Sequence, residues 1–181
     1  SDFTKVDGLG GIGITAIKAS PNSKELLIGY EDGLLELWSE NNIIQIPDIF
    51  ASGRYPGKSR INSISFDGEN KAFVATGFGV VELDLIYGVV KGAYILSQDG
   101  TAIETFDIEI DSDSLFVSSE KGFWSASIAD PLYLFSNWKQ DPRWIDTIIN
   151  EISVSENSRL ISTKQNESVW YRNNGAWSKI N

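Results

Sequence analysis

A tight-turn position recurs about every 44 residues along this chain, and it constrains the fold more than any other feature of the sequence. The turn residues are Gly33, Gly79, Gly122 and Asn166, so the intervals are 46, 43 and 44 residues. Asparagine replaces glycine in the last turn, and it is a residue that tolerates the positive φ that such a turn requires. The register predicts four structural repeats.

Each repeat contains the same succession of short apolar runs and polar turns. An apolar run leads into each turn, as in Leu27–Tyr30 and Phe73–Thr76, and another apolar or alternating run follows the turn. An anchor of the form I-x-x-[IF] precedes these runs at Ile14/Ile17, Ile61/Ile64, Ile103/Phe106 and Ile149/Ile152. Short runs rich in β-branched residues and bounded by turn residues predict β-strands. Residues 142–152 also show helical spacing, but the repeat register favours a strand there.

Four short strands in a period of 43–46 residues are typical of a β-propeller blade. We therefore predict an all-β fold in which about four four-stranded antiparallel blades form an arc of a larger propeller, of about six to eight blades. The expected blades are residues 11–57, 58–100, 101–145 and 146–181, within a single propeller segment over residues 1–181. Residues 1–10 are expected to form the outer strand of a preceding blade, because Phe3–Gly8 resembles Ile95–Gly100 at the end of the second repeat.

The composition excludes several kinds of site. The 181 residues include no cysteine, histidine or methionine. Without cysteine there is no disulfide, thiolate metal site or cysteine nucleophile, and without histidine there is no Ser-His-Asp triad or imidazole metal ligand. Because methionine is missing, we expect the chain to be a segment of a longer or processed protein. Neither a signal peptide nor an apolar run long enough to span a membrane is found in this sequence.

The strong negative charge also narrows the choice of partners. The formal net charge is −10 and the sequence pI is near 4.4. Because an acidic surface repels phosphate backbones, we expect no nucleic-acid partner.

Three groups of residues are candidates for binding, each with a structural alternative that we favour. Alternating carboxylates at Asp107, Glu109, Asp111 and Asp113 would share one strand face and could hold Ca²⁺, or they form a solvated face. The turns at Glu31-Asp32 and Glu120-Lys121 are loop tips suited to binding, or plain hairpin turns. The tryptophans of the last third form an aromatic platform or pack between blades; they are Trp138, Trp144, Trp170 and Trp177.

No motif marks a catalytic, cofactor-binding or metal-binding residue, so we assign none and expect a non-enzymatic protein without a cofactor. Asn166-Glu167-Ser168 matches the N-glycosylation sequon, a short pattern that often occurs by chance. A carboxylate-based lyase or glycosidase remains a third class of function, but no pair of carboxylates is marked for it.

Several segments resemble a known family of propellers. Val6–Leu9 and Leu27–Leu34 resemble the D-G-L … L-W-I-G-T-x-x-G-L pattern of two-component regulator propellers. Ile61–Ile64, Ala75–Leu85 and Leu134–Trp138 are similar to the N-terminal propeller of PorZ-like components of the type IX secretion system of Bacteroidetes. The resemblance covers about residues 14–138.

The resemblance implies a larger parent with two propellers and a C-terminal sandwich, exported to the cell surface and associated with the outer membrane. It implies a binding or scaffold role in protein secretion and attachment, with other proteins of the attachment complex and anionic lipopolysaccharide or glycan as partners. In that bacterial group Asp113-Ser114-Leu115 and Asp146-Thr147-Ile148 also fit an O-glycosylation pattern. The alternative function is the extracytoplasmic sensor of a hybrid histidine kinase, which would bind an oligosaccharide.

Overall fold

In the part of the chain that the structure describes, sixteen strands form four antiparallel sheets. The computed structural model describes residues 10–11, 13–40, 42–53, 57–155, 158–164, 167–173 and 175–180. Each sheet takes four strands that are consecutive in the chain, in the order in which they occur. We name the sheets blades 1 to 4. This is the all-β propeller architecture predicted from the repeat, and four four-stranded blades are confirmed.

The strands have the following bounds. Blade 1 contains β1 Ile14–Ala19, β2 Leu26–Tyr30, β3 Leu35–Ser39 and β4 Asn42–Ile46, followed by the short helix α1 Asp48–Ser52. Blade 2 contains β5 Ile61–Asp67, β6 Lys71–Thr76, β7 Gly79–Asp84 and β8 Val89–Tyr94. Blade 3 contains β9 Thr105–Asp111, β10 Ser114–Ser119, β11 Gly122–Ser127 and the short β12 Lys139–Gln140. Blade 4 contains β13 Ile149–Ser155, β14 Ser158–Thr163, β15 Ser168–Asn173 and β16 Ala176–Ile180.

The segment with helical spacing, residues 142–152, forms no α-helix, and its last four residues lie in the strand that the repeat register predicted. Only Pro142–Trp144 form a single 3₁₀ turn, and a second 3₁₀ turn at Phe135–Asn137 precedes β12. The chain then enters β13 at Ile149. Among the described residues, none of the helices has the length and apolar character needed to cross a membrane.

The recurring turn joins the second and third strands of each blade. Gly33, Gly79 and Gly122 have φ of 91°, 147° and 133°, a region that side chains with a Cβ rarely enter. A Cβ at Gly79 would also collide with the backbone carbonyl oxygen of Tyr94 on β8. At Gly79 the turn therefore needs glycine both for its backbone angle and for the approach of the fourth strand. The fourth turn residue, Asn166, lies outside the described residues.

The innermost strands share a β-bulge, and it corrects one anchor of the sequence pattern. The register shifts after Ile14, Ile61, Thr105 and Ile149, so these four residues are structurally equivalent. The third anchor is thus Thr105/Ile108, and the pairing Ile103/Phe106 was wrong by two residues. The apolar pattern missed this position because Thr105 is polar. Its side chain is buried like the apolar residues of the other blades, and its hydroxyl donates to the carbonyl oxygen of Gly79 at 2.8 Å.

Three apolar cores lie between successive blades, because alternate side chains of each sheet face opposite neighbours. On β6, Val74 packs toward blade 1 and Phe73 toward blade 3. The third core joins blades 3 and 4 and is rich in aromatic residues. The inner strands pack in sequence, β1 on β5, β5 on β9 and β9 on β13, and among the described residues no comparable packing joins β13 to β1. The four blades form an open arc.

Two expectations about organisation stay predictions. The proposed outer strand at residues 1–10 falls almost entirely outside the described residues. The blade boundaries within 1–181 and the number of blades in the complete propeller likewise stay predictions.

Substitution of Gly79 by alanine tests the turn. We expect Gly79→Ala to lower the free energy of unfolding by about 3 kcal/mol or more, because it adds backbone strain and a collision with β8. The measurement is urea unfolding followed by tryptophan fluorescence.

Gly68→Ala is the matched control, since Gly68 also has a positive φ of 72° but a Cβ there meets open space. It should cost only about 1–2 kcal/mol. Equal losses in the two variants would contradict the account of the turn.

Candidate functional site

The inner strands surround an opening of about 520 Å³ near the middle of the arc, with a mainly polar lining. The residues that line it lie at and beside the bulges of blades 2, 3 and 4: Asn62, Ser63, Phe106, Asp107, Asn150, Glu151 and Ile152. A bulge turns an extra side chain toward the opening, which explains why polar residues collect there.

One carboxylate in this opening connects three blades. The Asp107 carboxylate of blade 3 accepts a hydrogen bond from the Ser63 hydroxyl of blade 2 at 2.6 Å. Its other oxygen accepts from the backbone N–H of Ile152 in blade 4 at 2.9 Å. Charge-assisted bonds of this kind are stronger than neutral ones. Asp107 therefore acts as a structural link between blades.

Other bulge residues make a second series of links. The Thr15 hydroxyl donates to the carbonyl oxygen of Ile61 at 2.5 Å, and the Asn62 amide donates to that of Thr105 at 2.7 Å. The bulge side chains of blades 1 and 2 thus bond to the equivalent backbone position of the next blade. Within the described part of the chain, the side chains of Asn150 and Glu151 are the polar groups of the opening without a hydrogen bond. Most of the lining holds the blades together.

The four carboxylates that were considered for a cation do not converge on a common metal position. Asp107 is engaged as described, and Glu109 lies 4.0 Å from the Lys18 ammonium of blade 1. No group of three or more potential metal ligands occurs among the described residues. The structure gives no support to a cation site at Asp107, Glu109, Asp111 and Asp113.

Glu109 is nonetheless electrostatically distinctive. Burial raises the pKa of its carboxyl above the ordinary value, and the charge of Asp107 raises this pKa further, while Lys18 opposes the change. A carboxyl whose folded-state pKa is raised favours folding when protonated and loses that contribution as the pH rises through its folded pKa.

Replacement of Glu109 by glutamine tests this conclusion through pH dependence. We expect Glu109→Gln to have a higher melting temperature than the parent chain at pH 7, because the amide carries no desolvated charge. The difference should disappear as the pH falls and Glu109 becomes protonated in the parent chain. Thermal unfolding followed by circular dichroism across this pH range is the measurement.

Glu151→Gln, which removes an exposed carboxylate from the same opening, is the control and should change little at any pH. A Glu109→Gln variant that is less stable than the parent at pH 7 would overturn the assignment.

The tryptophans of the last third of the chain are mainly packing residues, in agreement with the interpretation that we favoured from the sequence. Trp138 and Trp144 are each 5% exposed, and Trp144 meets Trp170 and Trp177 edge to face at 5.3 and 5.5 Å. The Trp144 indole nitrogen is the single buried side-chain polar atom without a partner among the described residues. An aromatic platform open to solvent is not formed by this group.

The turn tips make local contacts that fit the hairpin interpretation. Glu31 pairs with Arg60 at 2.9 Å, and the Asp32 carboxylate accepts from the Leu34 N–H. Glu120 accepts from the Glu104 N–H, and Lys121 pairs with Asp146 at 3.2 Å. The second turn, however, also borders a groove.

We call this cavity of about 400 Å³ the connection groove. It lies where the segment between β8 and β9 passes the β10–β11 turn and the chain that leads to β13. Its lining is Leu96, Ser97, Asp99, Thr101, Ala102, Ile103, Glu120, Lys121, Trp124, Gln140, Ile145 and Asp146. A volume in the range of ligand pockets, an apolar floor and a polar rim are the usual features of a binding cleft.

The groove has a definite chemical character. Leu96, Ile103 and Trp124 form its apolar floor and belong to the core between blades 2 and 3. Ile145 stands at the edge and is 54% exposed. The rim carries three carboxylates and one lysine, so it is net acidic. Such a surface suits an apolar side chain flanked by basic groups.

Sequence reasoning singled out Glu120, Lys121 and Asp146 but missed the groove as a whole. The floor residues come from separate segments, and each one reads as an ordinary core position. The sequence held one signal of the groove: Ile145 is an apolar residue in a turn between predicted strands.

The Asn166 sequon falls largely outside the described residues, and the two O-glycosylation motifs stay predictions.

Comparisons with known proteins agree on the fold. A model of the PorZ N-terminal β-propeller domain of the type IX secretion system matches residues 1–139. No curated protein matches the chain.

Several solved structures are similar to the chain. One is the structure of PorZ, an essential bacterial surface component of the type IX secretion system of Porphyromonas gingivalis, with a TM-score of 0.79 and 18% identity over 98% of this chain. The computationally designed Ika4 protein gives a TM-score of 0.64 at 12% identity, over 93% of this chain and 95% of its own. U3-55K gives 0.65 at 10% identity, over 93% and 51%. The chain spans 23% of the PorZ structure, and at these identities the structural likenesses show the fold alone.

Proposed function

This chain belongs to the family of PorZ N-terminal β-propeller domains, and from that membership we propose that it is a non-enzymatic binding module of a type IX secretion and cell-surface attachment component. The proposal places it outside the cytoplasm, at the cell surface and in association with the outer membrane. Other proteins of the secretion and attachment complex are the proposed partners. The matches lend no support to the alternative of a histidine kinase sensor.

The family match carries the proposal, and the connection groove is the surface to which we assign partner binding. Binding residues concentrate on the loops of a rigid scaffold, and the groove is built from three connecting segments that rest on a buried floor. Asp99 is exposed on its rim, where its carboxylate accepts a hydrogen bond from the Thr101 N–H, and Ile145 exposes apolar surface at its edge. A partner that inserts an apolar side chain would bury both Ile145 and the edge of the floor.

Charge favours a protein partner for this surface over anionic lipopolysaccharide. The groove rim is net acidic, as is the chain as a whole at −10. Like charges brought together across an interface cost binding energy, whereas basic side chains of a partner would be attracted. Lipopolysaccharide, if the chain binds it, needs another surface.

A genetic replacement tests the role and the surface together. Deletion of the gene should prevent secreted cargo from being attached to the cell surface, and the intact gene should restore attachment.

The Ile145→Asp variant of the full-length protein tests the surface. It should lower the amount of co-purified partner roughly tenfold, because it puts a charge on the apolar edge of the groove. Immunoblotting for cargo at the cell surface measures attachment, and quantitative mass spectrometry of the proteins that co-purify with the full-length protein measures partner binding at equal levels of the protein itself.

Tyr133→Asp is the matched control, since Tyr133 is 76% exposed and lies away from the groove. Cargo that stays attached after deletion would exclude the secretion role. Equal loss of partner in the two aspartate variants, at equal protein levels, would exclude the groove as the binding surface.

A further inference from the structure

A second cavity, of about 190 Å³, lies between blades 3 and 4 near the outer part of the arc. Its lining is Ser114, Phe116, Ser125, Ala126, Ser127, Asp130, Asn137, Lys139 and Arg159. It shares no residue with the connection groove or with the central opening. The volume is below that of pockets for drug-sized ligands, so it suits a single small group.

Strand register places the polar lining in ordered rows on one face of blade 3. Phe116, Ser125 and Lys139 are directly opposite one another on β10, β11 and β12. Ser114 and Ser127 form the neighbouring row. The cavity is therefore lined by three hydroxyl groups and one exposed ammonium group on adjacent strands, each able to donate a hydrogen bond to a ligand.

Arg159 of blade 4 closes the cavity from the other side. Its guanidinium carbon lies 4.2 Å from the centre of the Phe116 ring. Burial lowers the pKa of Arg159 below its ordinary value and the charge of Arg172 lowers it further, while Asp111 and Asp141 act in the opposite direction. Among the described residues, no carboxylate forms an ion pair with Arg159 or with Lys139. Two cations thus face one small cavity, and the exposed Asp130 at its edge is the single carboxylate in the lining.

Blade 2 carries carboxylates at the corresponding positions of this face. The equivalents of Ser125 and Ser127 there are Glu82 and Asp84, because both pairs stand three and five residues after the first residue of the third strand. Glu82 is buried, pairs with Lys91 at 2.9 Å and accepts a hydrogen bond from the Tyr94 hydroxyl. In blade 3, serine replaces each of the two carboxylates, while cations remain.

We propose that this cavity binds an oxyanion, of the phosphate or sulfate type, which takes the place of the carboxylates that blade 2 supplies from its own chain. The guanidinium of Arg159 matches the planar geometry of two oxyanion oxygens, and Lys139 adds a point charge. Hydroxyls of Ser114, Ser125 and Ser127 complete the donor set. The ligand is free phosphate or sulfate, or the same group esterified to a sugar.

Titration of the purified chain with inorganic phosphate at constant ionic strength, followed by nuclear magnetic resonance, tests the site. We expect saturable shifts at the amides of Ser125, Ser127 and Arg159. Arg159→Gln and Lys139→Gln should each weaken binding by about tenfold or more, because each removes a charged donor. Lys164→Gln, which removes an exposed lysine of the same blade outside the cavity, should leave binding unchanged.

Ser127→Asp is a second variant that does not depend on loss of a cation. It places in blade 3 the carboxylate that Asp84 supplies in blade 2, so it should abolish phosphate binding and raise the melting temperature.

A parallel titration with glucose 1-phosphate and with glucose distinguishes a free oxyanion from one esterified to a sugar. Tighter binding of the ester than of inorganic phosphate supports a sugar-borne group, and equal binding supports the free ion.

Two results would overturn the proposal. One is the absence of saturable shifts in the parent chain with both phosphate and the ester. The other is unchanged affinity in folded Arg159→Gln and Lys139→Gln, or in Ser127→Asp.

Discussion

The Asp107 carboxylate is the contact on which the relative placement of blades 2, 3 and 4 depends most. Each blade buries its faces against its neighbours, and apolar packing alone allows sheets to slide and rotate because it has little directionality. Two charge-assisted hydrogen bonds, to the Ser63 hydroxyl and to the Ile152 N–H, fix the inner strands at defined positions. The bulge supplies this geometry, since it turns a strand side chain toward the next blade.

Because most polar side chains of the central opening bond to neighbouring blades, we assign binding to two other surfaces. The connection groove is formed by segments that link blades, and its floor is the core between blades 2 and 3. The small cavity near Arg159 arises where blade 3 lacks the carboxylates of blade 2. One surface is net acidic and the other contains two cations, so the same arc presents two different chemistries on a rigid frame.

The repeat made the architecture predictable from the sequence because propeller blades obey local rules. Strand periodicity and turn glycines act within about 45 residues, so the number of blades and the turn at Gly79 could be derived directly. The prediction of the third anchor was wrong because Thr105 occupies that position. It is held there by a hydrogen bond from its hydroxyl to the Gly79 carbonyl oxygen, whereas the other blades have an apolar residue. The pattern of apolar residues in a sequence cannot reveal a position where a hydrogen-bonded threonine replaces an apolar side chain.

The candidate sites were less predictable because they depend on contacts between repeats. In the sequence, Asp107 belongs to the same alternating series of carboxylates as Glu109 and Asp111. Only its hydrogen bonds to blades 2 and 4 distinguish it from them. The floor of the connection groove and the pairing of Arg159 with Phe116 join residues far apart in the chain. Burial of Trp138 and Trp144, in contrast, followed from their size.

Hydrogen exchange measured by mass spectrometry on the parent chain and Asp107→Ala tests most directly whether this carboxylate holds the blades. The account predicts exchange at least about tenfold faster in β5, β9 and β13 together, with β3 and β4 unchanged, because one substitution removes bonds to two other blades. Asp113→Ala, which removes an exposed carboxylate from the β9–β10 turn, should match the parent chain. Faster exchange confined to β9 in Asp107→Ala would contradict the account.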